Sequence, residues 1–192
     1  MVHTPVKQSA LEQLLDLPDA NAIESSNGRL VPLPIPQVHR SIIQRQLLFA
    51  IDPLLNELDI AQAFPSLHCT FGDRSIIADI AVFEDVNIAT DALGNIEDTF
   101  AISPDWIVQI LPPTRSITTA LKNINYCLAH GTQMGWLIDP IERCVFTSGA
   151  ERTFELIEDP ATILPVPLFA ASIELTISQL FGAIAKSYRK ST

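Results

Sequence analysis

A chain of 192 residues, 47% of them hydrophobic, is long enough to bury a core without staples, and one domain over residues 1–192 is the expectation. Its 22 acidic and 12 basic residues leave a formal net charge of −10, which repels polyanions at long range and argues against an abundant, non-specific nucleic-acid binder. The longest apolar run, Ile76 to Phe83, contains Asp79 and is far too short to span a bilayer. The segment Met1 to Leu17 carries Lys7, Glu12 and Asp16 and lacks the apolar stretch of a secretory signal, so a cytoplasmic location is expected. Cys69, Cys127 and Cys144 have no CxxC spacing and read as core thiols.

In chain order, Leu11, Leu14 and Leu15 predict a short helix over Ser9–Leu17. Glu24 precedes a turn signal at Ser26-Asn27-Gly28, and Arg29 to Leu33 reads as a short strand closed by Pro34 and Pro36. From Gln37 to Leu58 the positions Val38, Ile42, Leu48, Ile51, Leu55 and Leu58 form an apolar helical stripe, with Arg40, Gln44, Arg45 and Glu57 off it. Pro53 either ends this helix at Asp52 or kinks it.

Ile60 to Phe71, the turn at Gly72-Asp73 and the apolar run Ile76 to Phe83 predict a hairpin. Glu84 to Ser103 is polar and irregular and predicts a long surface loop. Asp105 to Leu111 is a buried-type strand stopped by Pro112-Pro113. Ile117, Leu121, Ile124 and Leu128 recur at helical spacing, with Gly131 as the C-terminal cap. Met134–Ile138, Cys144–Thr147 and Thr153–Ile157 extend the sheet, and Thr176 with Gln179 forms a capping box for a last helix running to Tyr188. This order predicts an α/β (α+β) fold, a mixed sheet flanked by helices.

Two apolar strands each carry one polar residue: Asp79 and Gln109. A carboxylate buried among isoleucines costs several kcal/mol unless a partner compensates it. In one reading the two side chains enter a common cavity with Glu24, and the three supply oxygen donors suited to Mg²⁺ or Mn²⁺. In the other, Asp79 faces solvent at a strand end and Gln109 bonds backbone. Neither a nucleophile elbow nor a Gly-rich phosphate loop is present, and His3, His39, His68 and His130 show no HExxH spacing.

The run Glu24-Ser25-Ser26-Asn27-Gly28-Arg29-Leu30-Val31-Pro32, followed by Pro34-Ile35-Pro36-Gln37-Val38-His39, resembles the opening of a bacterial restriction-endonuclease-like family of the PD-(D/E)XK superfamily. Arg74 to Phe83 is similar to that family's RPD strand and Ser103 to Pro112 to its PDLVVEVLSP strand. Lys122 to Pro140, with Tyr126, Gly131, Trp136, Leu137, Ile138, Asp139 and Pro140, is similar to its segment ending YWLIDP, and Pro165 to Ile177 to its closing segment.

The resemblance implies a restriction endonuclease-like core and a Mg²⁺- or Mn²⁺-dependent nuclease acting on DNA. It implies Asp79 as metal ligand, Gln109 in the place of the second acid, Glu24 as an acid from the first turn, Lys122 as the catalytic lysine and His39 as a phosphate contact. A homodimer is the matching expectation for cutting both strands. The sequence departs from the pattern at Gln109, where an acid is expected, at Ala78 and at Pro112. The alternative is therefore a catalytically inactive relative serving as a nucleic-acid-binding or protein-interaction module.

Overall fold

A computed structural model of the chain describes residues 23–26, 29–32, 38–112, 115–182 and 184, with side chains from Val38 onward. The helix expected over Ser9–Leu17 and the stretch toward Tyr188 lie outside the described residues. Strands β1 (Ile23–Ser26) and β2 (Arg29–Pro32) pair as an antiparallel hairpin across the expected turn.

Helix α1 (Val38–Asn56) runs unbroken through Pro53, which falls in its last turn and removes one rung of the ladder, the bond to the carbonyl of Phe49. Its buried residues are Ile43, Leu47, Ile51 and Leu55, one every fourth position. This corrects the stripe expected from sequence, since Val38 is 73% and Leu58 61% exposed. A row of residues four apart is inclined to the helix axis, and such a ridge is a common packing surface.

Strands β3 (Ala61–Phe71) and β4 (Arg74–Glu84) form the predicted hairpin, paired from Ala61↔Glu84 to Phe71↔Arg74. At its tip Gly72 has φ +59°, and a Cβ built there would lie 2.2 Å from the Tyr126 hydroxyl. That hydroxyl donates to Asp73 Oδ1 at 2.8 Å and accepts the Asp73 N–H at 3.1 Å, and Arg74 lies over the Tyr126 ring.

A 3-10 turn (Asp85–Asn87) opens the long connection to β5 (Trp106–Ile110). Asp105 precedes the strand rather than opening it. Its carboxylate accepts the Glu84 N–H at 2.9 Å and the Asn87 side-chain amide at 3.0 and 2.9 Å, tying the two ends of the loop together.

Helix α2 (Ile117–Leu128) crosses over to β6 (Met134–Asp139), which runs parallel to β5. Antiparallel β7 (Cys144–Gly149) and β8 (Glu155–Ile157) complete the sheet. Helix α3 (Ile177–Gly182) begins with the predicted capping box: Gln179 Oε1 accepts the Thr176 N–H at 2.8 Å, and Thr176 Oγ1 accepts the Gln179 N–H at 3.2 Å.

Among the described residues the sheet has eight strands in the order β2-β1-β4-β5-β6-β7-β8, with β3 on the other edge of β4. One face is covered by α1 and α3, through Ile43, Leu47, Leu180 and Phe181. The other is covered by α2, through Ala120, Ile124 and Cys127. This is the mixed, helix-flanked α+β sheet expected from sequence. No helix among the described residues is long and apolar enough to cross a membrane. All three cysteines are buried and none forms a disulfide.

The β3–β4 ribbon changes sides along its length. Ala61, Ile80 and Val82 pack toward α1, whereas Cys69, Phe71, Ile76 and Ala78 pack toward α2. Alternation along a strand would keep all even-numbered positions of β4 on one side. The changeover falls at Asp79 and its register counterpart Ser66, whose φ is +53°.

Candidate functional site

The β4–β5 ladder has three rungs, Ile80↔Val108, Ala81↔Ile107 and Val82↔Trp106, and then ends. One further step in the same register sets Asp79 across from Gln109. Instead of a backbone rung, Asp79 Oδ2 accepts the Ile110 N–H at 2.8 Å. Farther along the same edge of β4, Ser25 of β1 pairs with Ser75. Asp79 thus stands in a fork where β4 parts from β5.

Asp79 is 4% exposed. Its Oδ1 accepts a hydrogen bond from Arg40 Nε and forms an ion pair with it. Gln44 Nε2 donates to the Asp79 backbone oxygen at 2.7 Å and to Ser66 Oγ at 3.0 Å. Arg40 and Gln44 lie three residues ahead of Ile43 and Leu47, so the packing of α1 that buries those two carries both polar groups to the fork. Burial pushes the Asp79 carboxyl up, and Arg40, the Ile110 N–H and Arg115 pull it back down. Arg115, just ahead of α2, is a second cation whose field reaches this carboxylate.

Gln109 is 2% exposed, and neither its Oε1 nor its Nε2 has a hydrogen-bond partner. Leaving such an amide buried and unsatisfied costs about 1–3 kcal/mol. Alternation along β5 sets it with Ile107 and Leu111, which pack toward α2, while Asp79 is bonded toward α1. The two polar residues predicted from sequence therefore occupy neighbouring register positions at the fork but are turned toward opposite helix layers, with no hydrogen bond between them.

The remaining predicted residues are placed differently. His39 is exposed in the first turn of α1 and Lys122 is exposed on α2, and neither bonds to Asp79. The side chain of Glu24 lies outside the described residues. Its backbone, next to Ser25, is about 10 Å along β4 from Asp79 at a rise of ~3.3 Å per residue. The sequence reading missed Arg40, Gln44 and Arg115 as neighbours of Asp79. A four-residue apolar ridge beginning at Ile43 is the signal that would have turned Arg40 and Gln44 inward.

For a hard cation the fork offers the Asp79 carboxylate on the α1 side and, across the sheet, the Gln109 amide oxygen on the α2 side, each of the right donor class. The unspent bonding capacity of the Gln109 amide is compatible with that use. Among the described residues no three His, Cys, Asp or Glu side chains are grouped to hold a metal ion.

Over residues 11–178 the chain matches the profile of the family Uma2, described as "Putative restriction endonuclease". It is also similar to a crystal structure from Anabaena variabilis ATCC 29413 described as "a putative nuclease belonging to DUF820". The sequence identity is 40% and the TM-score 0.89, over 92% of this chain and 99% of that one. No curated protein matches the chain.

Proposed function

Because this chain belongs to the Uma2 restriction endonuclease family, we propose that it is a nuclease that hydrolyses DNA phosphodiesters with Mg²⁺ or Mn²⁺. The observation that carries this reading is the buried Asp79 at the β4–β5 fork, in a fold shared at 40% identity with a protein described as "a putative nuclease". Asp79 would hold the cation, with Glu24 as a further donor from β1; Gln109, turned toward the α2 layer, would join them only by swinging its side chain across the fork. A bound divalent cation supplies Lewis acidity and lowers the pKa of a coordinated water.

The chain's own residues do the rest. The Ile110 N–H and Arg40 fix the orientation of the Asp79 carboxylate. Arg115 adds positive potential where a phosphate's charge would gather. His39 and Lys122, both exposed, are placed to meet the DNA backbone from α1 and α2, and a local cation such as Lys122 offsets the overall charge of −10. Two copies related by a two-fold axis would bring one site to each strand.

Nicking of supercoiled plasmid tests this reading. Wild type should nick only with Mg²⁺ or Mn²⁺, and Asp79→Ala should not nick at all. Absence of metal-dependent nicking by wild type sinks it. The neutral Gln109 favours a second reading, a non-catalytic nuclease-fold module that binds nucleic acid or protein. That reading takes over if only Gln109→Glu cuts, or if no variant does.

A further inference from the structure

We propose that Arg40 is the resident counter-cation of this site: its guanidinium occupies the Asp79 oxygen that a divalent cation would take, and so sets how weakly the site binds metal. The inference rests on reading Asp79 as the metal ligand. Centres that hold hard cations draw them with the negative charge of clustered carboxylates. Here Gln109 contributes no charge, and the charge of Asp79 is met by Arg40 at Oδ1. The other oxygen, Oδ2, is held by the Ile110 N–H. A cation entering the fork therefore finds one carboxylate oxygen covered by a guanidinium, and meets the field of Arg115 as well.

The arrangement also allows an exchange. Arg40 extends from the first turn of α1, and its side chain is 14% exposed, so it has a route to solvent that the buried carboxylate lacks. Gln44 bonds the Asp79 backbone and Ser66 on its own account, and the Ile110 N–H holds Oδ2 independently of Arg40. Asp79 thus keeps two anchors when Arg40 leaves. A guanidinium that served only to stabilise the fold would leave metal affinity unchanged on its removal, or weaken it.

The test is Mn²⁺ binding, measured by electron paramagnetic resonance of the free ion and by calorimetry, on wild type, Arg40→Lys, Arg40→Gln and Arg40→Gln/Asp79→Ala. Circular dichroism confirms folding. Removing one positive charge at contact distance should tighten Mn²⁺ binding about tenfold or more in Arg40→Gln. The more mobile ammonium of Arg40→Lys should give a smaller gain, about threefold. The double variant should lose the gained affinity. If Arg40→Gln does not fold, Arg40→Lys alone decides. Affinity equal to or weaker than wild type in the folded variants overturns the proposal, as does tightening that survives in the double variant. Wild type that nicks plasmid while the variants show no tightening refutes the role of Arg40 and leaves the nuclease reading standing. Tightening without nicking does the reverse.

Discussion

Ser66 stands opposite Asp79 in the β3–β4 ladder with its backbone in the left-handed region, φ +53°, and at this pair the ribbon exchanges the face it presents to each helix layer. An L-residue held there stores strain, and a β-branched one stores more. Ser66→Val should cost about 1–3 kcal/mol in denaturant unfolding. Ser66→Gly should be neutral within about 1 kcal/mol, because relief of strain offsets the lost bond from Gln44. Equal losses in the two variants would remove backbone strain as the cause.

The tip of the same ribbon makes a second, sharper demand. Gly72→Ala introduces a Cβ at positive φ and against the Tyr126 hydroxyl, which is held by two bonds to Asp73. A loss of about 2 kcal/mol is expected. Combining it with Tyr126→Phe should cost less than the sum of the two single changes, because the clashing oxygen is gone. Strict additivity in a double-mutant cycle would contradict the contact.

Stability should depend on His68. Its Nε2 is buried without a partner, and burial lowers its pKa. The unfolded chain then takes up a proton below about pH 6.5, where the folded chain resists it. Stability is present above that pH and is lost as pH falls through the lowered folded value. The thermal midpoint should drop on acidification from pH 7 to 5, and His68→Gln should flatten this slope. An unchanged slope would assign it to other groups.

The thiols should be inert in the folded protein. Burial, together with the neighbouring Cys127, pushes Cys69 up. Burial also pushes Cys144 up to about 11, with Asp139, Glu142 and Glu158 adding to the effect. Thiolate is the reactive form, so Ellman's reagent at pH 8 should label the native protein slowly and all three cysteines promptly in guanidinium. Rapid labelling of the native state would show that these sites open readily.

Lys122 is exposed on α2, so Lys122→Ala should leave folding intact. If its ammonium meets a phosphate, DNA affinity should fall uniformly across sequences. The salt dependence measured by fluorescence anisotropy should then decrease by about one unit of slope. An unaltered slope would place Lys122 away from the DNA.

Much of this architecture could be read from the chain. The apolar runs around Asp79 and Gln109, the turn at Gly72-Asp73, the α2 periodicity and the Thr176–Gln179 box are local signals, and each became the predicted element. What eluded sequence reading depends on how elements meet. Arg40 and Gln44 looked like solvent-facing residues because the ridge of α1 that packs on the sheet begins at Ile43 rather than Ile42. The side taken by Asp79 is decided by the changeover at Ser66, and neither strand's alternation pattern announces that twist. Asp105 reads as the first residue of a strand, and its service to Glu84 and Asn87 appears only when the long loop closes.

The β3–β4 ribbon pairs as far as Phe71↔Arg74, whereas β5 supports β4 only at Ile80–Val82. Roughly 20 Å of ribbon, at ~3.3 Å per residue, therefore continues beyond the last β5 rung, joined near its tip to β1 at Ser75 and bonded at the turn to Tyr126 on α2. Along that length it is seated on the α2 layer through Cys69, Phe71, Ile76 and Ala78 and bridged to Phe100 at Cys69, with Asp79 beside the last β5 rung. The tip and the fork are thus fixed by separate contacts, Tyr126 at one and Arg40, Gln44 and the Ile110 N–H at the other, so the residue that shapes the turn is not one that holds the carboxylate.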